Sequence, residues 1–88
     1  MDKAVLKAQL KQLIIEESDK SDLLTPTELQ DDEALFGDKS RLHLDSLDAL
    51  QIAVALKQKF GVDLKGDRAI RKHMQCVTDL ADFIEQQQ

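Results

Sequence analysis

The 88-residue chain has no Trp and no Tyr, and only three Phe, three Gly, two His, two Met, one Pro and one Cys. Each shortage excludes something. With Phe36, Phe60 and Phe83 as the whole aromatic complement, the core must be aliphatic, and no row of aromatic side chains exists on which nucleic-acid bases would stack. A lone cysteine, Cys76, cannot close an internal disulfide, and is expected to be a small buried or half-buried side chain. No apolar run is long enough to span a membrane. The first residues, interrupted by Lys and Gln, do not read as a signal peptide, so the expectation is a cytoplasmic protein without membrane insertion. Scarce Gly and Pro, with abundant Leu, Ala, Lys, Gln, Asp and Glu, favour helix over strand. The length suits one small domain, residues 1–88.

The net charge of -5 is uneven. It arises between Ser21 and Asp45, where Asp22, Glu28, Asp31, Asp32, Glu33, Asp38 and Asp45 face only Lys39 and Arg41. The flanking segments balance. An acidic field of this kind favours a basic partner surface and repels nucleic acid.

Hydrophobic spacing predicts the elements. Leu6, Leu10, Leu13 and Ile14 recur at helical intervals within residues 1–18, with Asp2 as a cap and Lys3, Lys7 and Lys11 on another face. A long connection to about Leu44 follows, with turn signals at Thr25-Pro26-Thr27-Glu28 and Gly37-Asp38-Lys39-Ser40. Asp31-Asp32-Glu33 is expected to be exposed, and Leu35 and Phe36 to pin the loop to the core. A loop this long is unusual for a compact domain and is usually functional when it is not disordered. Residues 46–60 are the strongest helix. Ile52, Leu56 and Phe60 repeat every four positions, and Leu47, Leu50 and Val54 form a second stripe. That pattern predicts a central helix, apolar over more than one face, ended by Gly61. A short basic helix over 66–74 and a last helix from 76–78 to about Ile84 complete an all-α chain: a small four-helix bundle of three longer helices and a short third one.

Little here suits chemistry. Ser46 has His43 three residues away, but no oxyanion motif, and His73 is the other histidine, so no catalytic residues are assigned. Two separated histidines and one cysteine lack metal-ligand spacing, and Asp31-Asp32-Glu33 lacks the pattern of a calcium loop. Arg68, Arg71, Lys72 and His73 read as a solvated face or as the internal counterpart of the acidic loop. Two readings of Ser46 stay open on the residues alone. Either Asp45 or Ser46 is an ordinary N-cap, or the serine is held out at a helix start for covalent modification. In the second case a phosphodiester on its oxygen would sit at the positive helix end, with Asp45 and Asp48 repelling it.

Leu35-Phe36-Gly37, then Leu42-His43-Leu44-Asp45-Ser46-Leu47-Asp48-Ala49-Leu50, then Ala55-Leu56 and Phe60-Gly61-Val62 resemble a stand-alone acyl carrier protein. The likeness covers nearly the whole chain. It implies a four-helix bundle and a covalent 4′-phosphopantetheine arm on Ser46, installed from coenzyme A by a magnesium-dependent phosphopantetheinyl transferase. The arm would carry acyl groups as thioesters to ketosynthases, reductases and acyltransferases of fatty-acid or polyketide type. The protein itself would be a non-catalytic monomer. It further implies docking through Asp45, Leu47, Asp48, Leu50, Gln51 and Val54, with Leu50, Ile52, Val54 and Ile70 as candidate liners of an acyl pocket. On this reading Asp48→Lys slows modification and leaves the fold intact.

The chain departs from the family pattern in three places. Leu42-His43-Leu44 stands where a glycine is usual. The second helix carries Gln51, Lys57, Gln58 and Lys59, and the third is basic. These point to dedicated partners, as in a specialised polyketide-like or aryl-polyene-like pathway. The alternatives are a peptidyl or aminoacyl carrier of the same fold, disfavoured by the Asp before the serine, and a helical interaction module with no prosthetic group.

Overall fold

Asp2 starts the first helix, α1 (Lys3–Glu17), by accepting the Ala4 backbone N–H at 3.0 Å. The structure, a computed structural model, describes residues 2–37, 39–64 and 66–87. Met1, Asp38 of the expected turn, Lys65 and Gln88 lie outside the described residues. Leu6, Leu10, Leu13, Ile14 and Ile15 of α1 are buried. Ser18 ends it, returning its N–H to the Ile14 carbonyl at 3.1 Å and its hydroxyl to the same oxygen at 2.7 Å. The other helices are α2 (Ser46–Phe60), α3 (Gly66–His73) and α4 (Val77–Gln87). The chain is therefore all-α, with three longer helices and a short third one, as the spacing predicts.

Helix α1 packs on both α2 and α4, and α3 packs on α4. Leu10, Ile14, Ile52, Leu56, Val77, Leu80 and Ile84 are fully enclosed between them. Lys3 pairs with Asp82 and Glu85 across the α1–α4 seam. The His73 ring lies 4.4 Å from that of Phe83, tying the end of α3 to α4.

Helix α2 departs from expectation. Its buried face is Ala49, Ile52, Ala55 and Leu56. The second stripe faces solvent, with Leu47, Leu50 and Val54 at 64%, 54% and 57% exposure. Helix α2 is not central: the bundle covers one side of it, and the other remains an open apolar strip.

The long connection is ordered by its own anchors. Leu24, Leu29, Leu35, Leu42 and Leu44 are buried. Glu28 accepts the Thr25 N–H at 3.0 Å and its hydroxyl at 2.9 Å, closing the predicted turn. The Leu35 N–H donates to the Gln75 carbonyl at 2.9 Å, and the Thr78 N–H to the Asp31 carbonyl at 3.0 Å. Phe36 and Leu44 form a single parallel bridge, so the loop runs beside the residue that enters α2. Buried Ser40 is the pivot. Its hydroxyl donates to the Leu35 carbonyl at 2.7 Å and accepts the N–H groups of Leu42 and His43 at 3.1 Å each. His43 is thereby held in the left-handed region, at φ 50.

The acidic run is solvated only in part: Asp32 is exposed as expected, while Asp31 and Glu33 are half-buried. Asp31 bridges Lys7 at 3.2 Å and Lys11 at 2.6 Å. Glu33 takes the Arg41 Nε at 2.8 Å, and Asp32 takes the Thr78 hydroxyl at 2.8 Å. These acids staple the loop to α1, to α4 and to itself, and ion pairs offset Asp31 and Glu33, two of the seven acids of the expected field.

Candidate functional site

The start of α2 separates the two roles that Asp45 and Ser46 shared on paper. Asp45 is the cap: its carboxylate accepts the Asp48 N–H at 2.9 Å, and the Asp48 carboxylate accepts the Asp45 N–H at 3.1 Å. This reciprocal box leaves Ser46 at the first helical position, exposed, with no hydrogen bond to its hydroxyl among the described residues. The helix-end seat for an anion is taken by Asp45, so what Ser46 presents is a free hydroxyl rather than a ready phosphate cradle.

Comparison with the other hydroxyls sharpens the point. The chain has four Ser and three Thr. Ser18 and Ser40 are buried and bonded. Thr25 and Thr27 share a turn contact of 3.1 Å, and Thr78 donates to Asp32. Only Ser21 and Ser46 keep exposed, unengaged hydroxyls among the described residues, and Ser46 borders a cavity.

That cavity is about 670 Å³, within the usual range for small-molecule sites. The loop supplies Ala34, Phe36 and Leu44, and α2 supplies Asp45, Ser46, Ala49 and Leu50. Ile70, Arg71 and Gln75 close the far side, from α3 and the residues after it. Among the expected pocket liners, Leu50 and Ile70 border it. Ile52 is enclosed in the core and Val54 faces solvent, and neither is among its walls. Ala34, Phe36, Leu44, Ala49, Arg71 and Gln75 were not foreseen as walls. Phe36 carried a signal, as an apolar residue stranded in a polar loop.

The expected docking residues fall into two groups. Leu47, Leu50, Gln51 and Val54 are exposed along α2, while Asp45 and Asp48 are spent on each other's backbone. Asp48→Lys would break the box, so it does not leave the fold untouched, and Leu47 is the cleaner probe.

Neither histidine hydrogen-bonds Ser46 among the described residues: His43 is exposed, and His73 lies on Phe83. Among the described residues no cluster of three or more His, Cys, Asp or Glu is placed to hold a metal, and no helix is long and apolar enough to cross a membrane. Half-burial pushes the Cys76 thiol above its ordinary pKa, making it a poor nucleophile at neutral pH.

Four carboxyls of the loop and helix start are held below the usual range. Asp45 is held chiefly by the Asp48 N–H, Asp31 by the Lys11 hydrogen bond, Glu33 by that of Arg41, and Glu28 by the Thr25 N–H. Each is more acidic folded than unfolded, so its contribution is complete above the ordinary carboxylate value of about 4 and is lost as pH falls through the lower folded value. The melting temperature is expected to be level from neutral pH down to about 5 and to fall below about 4. A thermal melt series across pH checks this, and a rise on acidification through that window would contradict it.

A profile of the phosphopantetheine attachment site family matches residues 8–87. The comparison with curated proteins gave no match. The matched span takes in the whole cleft, the loop that walls it and the free hydroxyl at its edge. Proteins of this family are carriers rather than catalysts, and transferases modify them. The chain belongs to the phosphopantetheine attachment site family and is a carrier for covalently bound 4′-phosphopantetheine.

Proposed function

We propose that this protein is an acyl carrier whose arm is esterified to Ser46. The observation that supports it most is the division of labour at α2. Asp45 and Asp48 close the helix end between them, and Ser46 keeps an exposed hydroxyl beside an apolar cleft. A hydroxyl needed for the fold would be bonded, as those of Ser18 and Ser40 are.

The residues fit the group. The Ser46 Oγ supplies the linking oxygen, and no side chain must be displaced to reach it. When bound, 4′-phosphopantetheine, donated from coenzyme A, supplies a thiol that holds acyl groups as thioesters. Phe36, Leu44, Ala49, Leu50 and Ile70 offer apolar cover for such a chain, which favours acyl over aminoacyl cargo. The acid before Ser46 favours the same choice. Ketosynthases, reductases and acyltransferases are the matching partners, in a cytoplasmic fatty-acid or polyketide type pathway, the basic third helix favouring a specialised one.

Docking falls to the exposed strip of Leu47, Leu50 and Val54, with Gln51 beside it. Apolar side chains half or more exposed on one helix face are costly to leave in water, and they suit a partner that covers them. Leu47→Asp is expected to slow transferase modification about tenfold or more, the loss typical of a buried apolar anchor, and to leave the melting temperature nearly unchanged. Modification kinetics with thermal melts check this. Unaltered kinetics would remove the strip from the transferase contact.

The cargo is tested on the holo protein. It is offered to a malonyl transferase with malonyl coenzyme A, and to amino-acid adenylating enzymes with ATP and amino acids. Malonyl loading alone is expected. Aminoacyl loading without malonyl loading would favour the peptidyl carrier and overturn the acyl assignment.

A further inference from the structure

The cleft beside Ser46 does not end on apolar surface. Arg71 and Gln75 line it, and they also line a second recess whose other walls are Arg68 and Lys72. Ser46 borders the first cavity and not the second. The sequence in space is therefore hydroxyl, apolar walls, then a cationic recess.

Those three cations make no ion pair among the described residues. The acids that the sequence offered as their counterpart are engaged elsewhere, Asp31 by Lys7 and Lys11 and Glu33 by Arg41. A cationic cluster with no ion pair among the described residues, at the end of an apolar cleft, selects what reaches it. A methyl terminus arriving there would press against hydrated guanidinium and ammonium groups. A carboxylate terminus would meet a planar fork that matches it with two hydrogen bonds.

We propose that the cleft selects acyl chains ending in a carboxylate, with Phe36, Ala49, Leu50 and Ile70 covering the chain and Arg71, flanked by Arg68 and Lys72, binding its far end. This rests on the acyl-carrier reading. The arm's own phosphodiester is the other anion at hand, but it is built on the Ser46 oxygen, which does not border the recess.

The test uses the full chain, with adipoyl and hexanoyl arms transferred from the matching coenzyme A thioesters. The two chains are equal in length and differ in the terminal carboxylate. Adipoyl is expected to slow thioester hydrolysis about threefold relative to hexanoyl, the scale of a partly exposed ion pair, and to shift the Arg71 and Gln75 side-chain NMR signals. Arg71→Gln should erase the difference, Arg71→Lys should keep part of it, and high salt should shrink it. Arg68→Gln should reduce it. Equal rates for the two chains would overturn the proposal. So would a difference that survives Arg71→Gln, or Arg71 shifts already complete on attaching the bare arm. Failure of the chain to accept any arm would instead bring down the carrier assignment on Ser46, and this proposal with it.

Discussion

Ser46→Ala is expected to accept no arm at all while melting within about 3 °C of the parent, since an exposed substitution away from caps and core changes stability by about 0.5 kcal/mol or less. The reasoning is local. The Ser46 hydroxyl donates nothing and accepts nothing among the described residues, because Asp45 already takes the Asp48 N–H. Alanine is a better helix former than serine and leaves the backbone alone. Asp45→Ala should show the reverse. It removes the cap, costs about 1 kcal/mol, and keeps the Ser46 oxygen proposed to take the arm. Intact mass after transferase treatment, paired with a thermal melt, reads both variants. A Ser46→Ala protein that unfolds would return the serine to a structural role, and one that still gains the arm would move the site elsewhere.

Leu35→Ala carries the largest expected loss of stability. The side chain is fully enclosed, and a buried Leu→Ala change costs about 2–5 kcal/mol. A domain of this length holds about 4–13 kcal/mol in total, so the melting temperature should drop by about 10 °C or more. The effect reaches the cleft. The Leu35 N–H is bonded to Gln75, and its carbonyl accepts the Ser40 hydroxyl. Its neighbours Ala34 and Phe36 are cleft walls. A shift in the NMR signals of Phe36 and Leu44 should accompany the lower melt. A loss under about 1 kcal/mol would mean that the loop is held mainly by its polar staples.

Those staples mark the boundary of what the sequence could tell. Periodicity is local, so α1, α2 and α4 were legible from Leu6, Leu10 and Leu13, from Ile52, Leu56 and Phe60, and from Val77, Leu80 and Ile84. Caps are local too, and Asp2 and Gly61 stand where expected. Partner choice is not local. Asp31 looked like a solvated acid because Lys7 and Lys11, on a helix completed before the loop begins, are distant in the chain. The second stripe of α2 looked like core because periodicity records a face without saying whether anything covers it, and Leu47, Leu50 and Val54 are open. At the site, the Asp45-Ser46 pair was legible as a helix start. Which of the two caps it was not, since both are good cap residues and only the hydrogen bonds choose. Arg71 was legible as charge alone, and its place beside the cleft depends on how α3 packs against α4.

The most direct measurement locates the arm. The full chain is incubated with coenzyme A, magnesium and a broad-specificity phosphopantetheinyl transferase, then digested with trypsin. The fragment from Leu42 to Lys57 contains a single hydroxyl residue, Ser46. One added phosphopantetheine on that fragment is the predicted result. An unchanged mass, or an arm on the fragment bearing Ser21, would contradict it.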